Sequence, residues 1–550
     1  MTSLLHRSAP RSNERRRSGA RRFACNALLL IGVNLFMRTV GMSFNVYLSN
    51  RAGGEVMGLY SLLFGVYGLA LTLGCAGVNL GTTRLVAEAM GAYCPVGQNS
   101  DREATVEGVA CRLAIRRVLS RCMIYSLICS SGAAILLFFG APVIGTVWLG
   151  DGRTVLSLRA LAMTLPPLAV SSCLGGYFTA VRRVARVSAV NIGIQFLRIG
   201  FCSYLLTLWL PDGVEMTCLA LVLGGALSEV AGVLLTILAY FADRRRHSVM
   251  SRNGVSTDLH DEEHLTRRLL GITMPVTLSA CLRSGLVTLQ HALIPRGLKQ
   301  SGASWSEALA SYGVLHSMVL PVVLFPSAFI SSFSGLLVPE VAESGARGDG
   351  ERVARIAYKI VTPALIFSFG VAGIMSCYAY ELGEAIYHSR EAGMYIRCLA
   401  PLIPIMYVDS SVDAVLKGMG EQVYSMNVNI ADALSSVILV WLLLPRMGLW
   451  GYVVTIYVTE TLNTTLSLAR MLPISGMKIR LWKQVFGPLA CVVGATCLCR
   501  LASEWGHLPI GGMGDMALHI AVCAALYLLL LVLTGVVGRE EWAQLRDMLR

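Results

Sequence analysis

Apolar runs long enough for a helix to cross about 30 Å of hydrocarbon recur along nearly the whole chain. They lie at about 23–48, 57–80, 121–149, 156–180, 187–210, 216–241, 269–295, 309–338, 357–380, 395–416, 424–444, 447–469, 485–501 and 516–538. The pattern predicts an all-α polytopic membrane protein with about fourteen transmembrane helices. The first two runs are joined by Gly53-Gly54-Glu55-Val56, which predicts a tight glycine-marked hairpin. Within the first run, Asn34, Arg38, Gly41 and Asn45 recur at helical spacing and share one stripe. In the seventh, Ser279, Arg283 and Gln290 form a sparser stripe.

Composition supports the membrane reading. Only 14% of the 550 residues are charged and mean hydropathy is +0.62, whereas soluble chains carry about 25% charged residues. The net charge of +13 does not call for nucleic acid, because its placement explains it. With a cytoplasmic N-terminus, 34 of the 46 Lys and Arg fall in cytoplasmic segments, nine in outer segments and three inside spans. That bias is the positive-inside pattern and puts both termini in the cytoplasm. The basic residues Arg7 to Arg22 read as a retained tail. The apolar run after them is too long for a signal peptide, and no small-x-small cleavage site follows. The sixteen cysteines include no CxxC, and most lie inside apolar runs, where they read as small buried hydrophobes.

The chain also shows a weak internal repeat. Arg38 and Arg51 are thirteen residues apart, and Arg283 and Arg296 repeat that spacing 245 residues later. Each pair begins mid-span and ends at the outer rim. Tyr60 and Tyr312 open the following spans, and acidic residues close them at Glu88 and Glu343. Shared order and offset predict two pseudo-symmetric six-helix lobes around a central cavity, with two more helices outside the repeat. The predicted divisions are a basic tail at 1–22, an N-lobe at 23–241, a cytoplasmic linker at 242–267, a C-lobe at 268–470, and a C-terminal pair with its tail at 471–550.

An arginine at bilayer depth costs roughly 2.5–3.5 kcal/mol on insertion scales, so it normally faces an interior or a water-filled cavity. Arg38, Arg51, Arg283 and Arg296 are therefore candidate contacts for an anion, with Asn34, Asn45 and Gln290 as polar cavity residues. The competing reading is a satisfied interhelical bond or snorkelling to an interface. For Arg198 that reading leads, because Glu229 on the next span is a ready partner. Asp409, Asp413, Asp432 and Glu460 are candidates for ion coupling, with packing and capping as the competing roles. His291 and His316 read first as hydrogen-bonded packing residues. Pro275, Pro321, Pro326, Pro363, Pro401 and Pro404 are compatible with kinked, rocking helices.

Several stretches resemble the stage V sporulation protein B family of the multidrug/oligosaccharidyl-lipid/polysaccharide exporter superfamily. They are Arg38-Thr-Val-Gly41, Gly53-Gly-Glu-Val-Met-Gly-Leu-Tyr60, Arg84-Leu-Val-Ala-Glu88, Gly175-Gly-Tyr-Phe178, Met274-Pro-Val-Thr-Leu278 and Leu337-Val-Pro-Glu340. The similarity covers about residues 23–470. It implies two lobes around a cavity, alternating access, two extra C-terminal helices, and a lipid-linked anionic glycan as substrate. Cell-wall or polysaccharide-synthesis enzymes are the protein partners it implies, beside membrane lipids, for a monomer needing no cofactor. Asn45 departs from the second deep cation common in such flippases, and Gln290 from an acidic residue.

The resulting expectation is a non-enzymatic flippase that moves an undecaprenyl-(di)phosphate-linked glycan or peptidoglycan precursor across the cell membrane. The alternative is a multidrug and toxin extrusion-type cation exporter, which calls for acidic cavity residues and twelve spans. A glycosyltransferase calls for a sizeable outer loop with a metal site, whereas the first outer loop spans only 49–56. An intrinsic ATPase is excluded by the lack of a GxxxxGK[ST] loop.

Overall fold

The computed structural model describes residues 10–93, 103–181, 183–246, 261–505 and 513–536. Parts of the predicted N-terminal tail, cytoplasmic linker and C-terminal tail lie outside these residues. Every regular element described is helical. In hydrocarbon this is what the backbone requires, since a helix satisfies its own N–H and C=O groups. The first elements are α1 (Pro10–Cys75), α2 (Val78–Tyr93), α3 (Glu103–Val143), α4 (Thr154–Ala162) and α5 (Leu165–Ala180). Then come α6 (Val184–Trp209), α7 (Val214–Arg246), α8 (Asp261–Gln300), α9 (Trp305–Gly313), α10 (Leu320–Leu324) and α11 (Ser327–Ala346). The remainder are α12 (Gly350–Cys377), α13 (Ala379–Tyr387), α14 (Arg390–Leu399), α15 (Ile403–Gly418), α16 (Gln422–Met447), α17 (Leu449–Ser475), α18 (Gly487–Trp505) and α19 (Met513–Leu533).

Eleven helical stretches are long and apolar enough to span a membrane, or twelve if the α4–α5 pair, bent by 41°, counts as one. The expected fourteen is higher, and the excess has two sources. Gly32–Met90 counts as one stretch of 59 residues, yet at 1.5 Å per residue it would reach about 90 Å, far beyond one bilayer. It is broken at Gly53, whose φ of 81° and ψ of 169° are not helical. The expected hairpin is thus a kink at a single residue, in backbone space that only glycine enters readily. The second source is α17, where Thr459, Glu460, Thr461, Asn463, Thr464 and Thr465 dilute the hydropathy of a 27-residue helix.

The prolines divide into two groups. Pro321 and Pro326 flank the break between α10 and α11, and Pro401 sits in a 3₁₀ turn between α14 and α15. Pro275 and Pro363 lie inside continuous helices.

The contacts define two compact units. One takes Met1–Ser43, Pro321–Ser425 and Asn463–Arg550; the other takes Phe44–Leu320 and Met426–Leu462. In the first, Val341, Ile356, Ile360, Val412, Val415, Leu416 and Met471 form a buried core of α11, α12, α15 and α17. In the second, Val78, Leu85, Val86, Cys122, Cys173, Leu174 and Leu269 join α2, α3, α5 and α8. Cys122 and Cys173 pack there as small hydrophobes, as read from their apolar surroundings in the sequence.

Candidate functional site

A hydrogen-bonded polar site of the second unit begins where helices touch backbone to backbone. A Cβ at Gly58 would meet the Leu309 carbonyl oxygen at 2.1 Å, and one at Gly313 would meet that of Gly54 at 2.1 Å. Only glycine permits this crossing of α1 and α9. Beside it, residues Val314–Val319 form a π-helical turn, a widened turn that often marks function. Asn45 donates to the Ser317 carbonyl at 2.9 Å, the Ser61 and Ser317 hydroxyls bond to each other, and Ser317 Oγ donates to the Met57 carbonyl at 3.1 Å. The polar stripe of the first span is therefore bonded at Asn45.

Above the crossing lies a charge cluster. Arg153 reaches Glu55 at 3.1 Å and Asp151 at 2.7 Å. Glu55 also accepts from Ser306 Oγ at 2.7 Å, and Asp151 from the Trp305 indole at 3.1 Å. Ser304 and Glu307 close a capping box that starts α9 and fixes Trp305 and Ser306 in place. Burial alone would push the Asp151 carboxyl up. The Arg153, Trp305 and backbone hydrogen bonds outweigh it and hold the carboxyl below its usual value. The same bond to Asp151 pushes the Arg153 guanidinium up. Glu55, Asp151, Arg153 and Trp305 were not among the site residues expected from the sequence. The local signals for them were the Asp151-Gly-Arg153 turn and the Ser304-x-x-Glu307 box.

The candidate arginines fall into distinct settings. In the second unit, Arg283 is exposed and forms no ion pair or hydrogen bond among the described residues; its charge acts on Asp432. Arg296 donates to the Val147 carbonyl. Arg51 is exposed and lies 5.9 Å from the Tyr47 ring centroid. Gln290 is half-buried on α8. Arg198 pairs with Glu229, as the sequence suggested. In the first unit, Asn34 and Arg38 are exposed on α1, and the Arg38 charge acts on Tyr407. Tyr407 donates to the Val323 carbonyl at 2.6 Å, next to the Pro326 break.

The acidic candidates are also dispersed. Asp413 pairs with Lys417 at 2.5 Å and accepts from Ser425. Asp409 accepts from Asn463 at 3.3 Å. Asp432 and Glu460 belong to the second unit, where Glu460 acts on Tyr452. No group of three or more His, Cys, Asp or Glu residues among those described is arranged to hold a metal.

The fold is that of membrane transporters of the MOP superfamily. It aligns with lipid II flippase MurJ in an inward closed conformation at a TM-score of 0.66, with 11% identity, 95% of this chain and 100% of that one. It aligns with an inward-facing multidrug resistance MATE family transporter of the MOP superfamily at a TM-score of 0.56, with 15% identity, 82% of this chain and 100% of that one. A MOP superfamily transporter from Pyrococcus furiosus, with a binding pocket of reversed polarity, aligns at 0.52, with 14% identity, 82% of this chain and 96% of that one. Residues 23–295 match the family model of polysaccharide biosynthesis proteins. It is also 26% identical to stage V sporulation protein B of Bacillus subtilis (strain 168) over 526 residues, 94% of this chain and 96% of that protein.

Proposed function

We propose that this chain is a flippase that carries an undecaprenyl-(di)phosphate-linked glycan or peptidoglycan precursor across the cell membrane by alternating access. The match of residues 23–295 to the polysaccharide biosynthesis family model supports the substrate class. The similarity to stage V sporulation protein B and the fold shared with a lipid II flippase support the transport step. The observation that carries the anion contact is the pair of exposed arginines at mid-span, Arg38 in one unit and Arg283 in the other. A guanidinium at that depth is costly unless water or an anion meets it, and its planar fork matches a phosphate oxygen pair. Arg51 and Arg296 are the proposed rim contacts. The reading includes cytoplasmic N- and C-termini and six-helix lobes at 23–241 and 268–470.

The test is transbilayer movement of an undecaprenyl-diphosphate glycan in proteoliposomes. Arg38→Ala and Arg283→Ala should each slow it by about tenfold or more, the loss of one charge-assisted contact. Full activity in both variants would overturn the anion contact. Movement of organic cations in place of the glycan would favour an exporter of the MATE type.

A further inference from the structure

Beside the Ser317 network, the second unit buries a second polar group. The His291 and His316 rings are 4.6 Å apart and edge to face, and Tyr312 stacks on His316 at 5.3 Å. His291 lies 6.2 Å from Tyr312. Tyr312 has no accessible surface. The Nδ1 atoms of both histidines and the Tyr312 hydroxyl are buried without a hydrogen-bond partner. A buried polar group left without a partner is costly, so three together need a reason.

Other elements close around them. α1 brings the backbone at Gly65, where a Cβ would sit 3.1 Å from His291 Nδ1. The π-helical turn carries His316 itself. α17 brings Tyr452, which acts on Tyr312 and is acted on in turn by Glu460. Imidazole is the side chain whose ordinary titration falls near neutral pH. Two of them in contact titrate as a coupled unit.

We propose that His291 and His316, with Tyr312, form a buried proton-binding site that exchanges one proton as the packing of α1, α8 and α9 opens and closes. The glycine contacts allow that movement, since the backbone meets His291 at Gly65 and α9 at Gly58 with no side chain between. The proposal rests on the transporter reading only in assigning the exchange to a transport cycle; the site itself stands on the geometry. It differs from the acidic candidates at Asp409 and Asp413, which belong to the other unit.

The test is solid-state nitrogen NMR of the full-length protein in lipid bilayers, with its nine histidines isotope-labelled. The variants His291→Gln and His316→Gln assign the two ring signals. Both signals should titrate in wild-type protein, and removing either ring should move the other's midpoint by about one pH unit. Tyr312→Phe, which deletes only a hydroxyl, should shift both and covers the case where a Gln variant fails to fold. Rings that do not respond to pH, or that titrate independently of each other and of Tyr312, would overturn the site. The measurement uses no glycan, so a flippase that fails this test remains a flippase. A protein that titrates as expected but moves no glycan would overturn the flippase reading alone.

Discussion

Two sets of arginines in this molecule behave in opposite ways. Arg153 is bound to two carboxylates, one of which is fixed by an indole and the other by a hydroxyl. Arg38 and Arg283 sit at mid-span positions, are exposed, and form no ion pair or hydrogen bond among the described residues. A guanidinium with its donors satisfied holds structure together. One left open in an apolar helix contributes little to stability and is available to a ligand. The difference separates scaffold from candidate site more sharply than charge or depth does, since all three residues are cations in an apolar chain.

The contrast can be broken in three ways. The largest effect is expected at the glycine crossing that supports the Arg153 cluster. Gly58→Ala places a methyl 2.1 Å from the Leu309 carbonyl oxygen. The backbone cannot yield as a side chain would, so the loss should reach about 3 kcal/mol. Thermal unfolding in detergent measures it, and an unchanged midpoint would refute the contact. Next is Arg153→Ala, which leaves Asp151 buried beside Trp305. It should cost about 2 kcal/mol, the scale for hydrogen bonds to charged groups, whereas Arg283→Ala should leave the unfolding midpoint almost unmoved. Equal losses in the two variants would erase the distinction.

The smallest effect is in pH. The folded Asp151 carboxyl lies below its ordinary value of 3.8, so its contribution is fully present above that pH. It is lost as the pH falls through 3.8 toward the folded value. Wild-type protein should therefore lose more stability than Asp151→Asn on acidification from about pH 6 to about pH 3. Parallel acid curves would show that Asp151 is not held by Arg153.

Local pattern carried much of the fold. The stretch from Gly53 marked the turn, the apolar runs marked the helices, and the Arg198–Glu229 pair was visible as two opposite charges on adjacent spans. The Arg153 cluster was not visible, because Glu55 and Asp151 are 96 residues apart in sequence and Trp305 lies a further 154 residues on. Nothing periodic brings such positions together; the glycine crossing does. The expected fourteen spans and the eleven or twelve stretches that pass on length and composition differ for a related reason. Average hydropathy cannot see a break confined to Gly53, nor a helix such as α17 whose threonines bond their own backbone, as Thr455 does to Gly451. The histidines were read singly, and only the fold shows them as a pair.

The Gly58–Gly313 crossing has a consequence for how the helices could part. The backbones meet at the glycines themselves, while Met57 and Leu59 of α1 and Leu309 and Tyr312 of α9 are buried directly beside them, so parting the helices there would uncover apolar side chains. The ion pairs of Arg153 with Glu55 and Asp151 add a second, ionic lock at this end of the unit. Those groups are only partly screened from solvent, with Arg153 32% exposed. At physiological ionic strength charges are screened over about 8 Å. The ionic share of that lock is therefore tuned by dissolved ions in the adjacent water and not by the thickness or fluidity of the lipid.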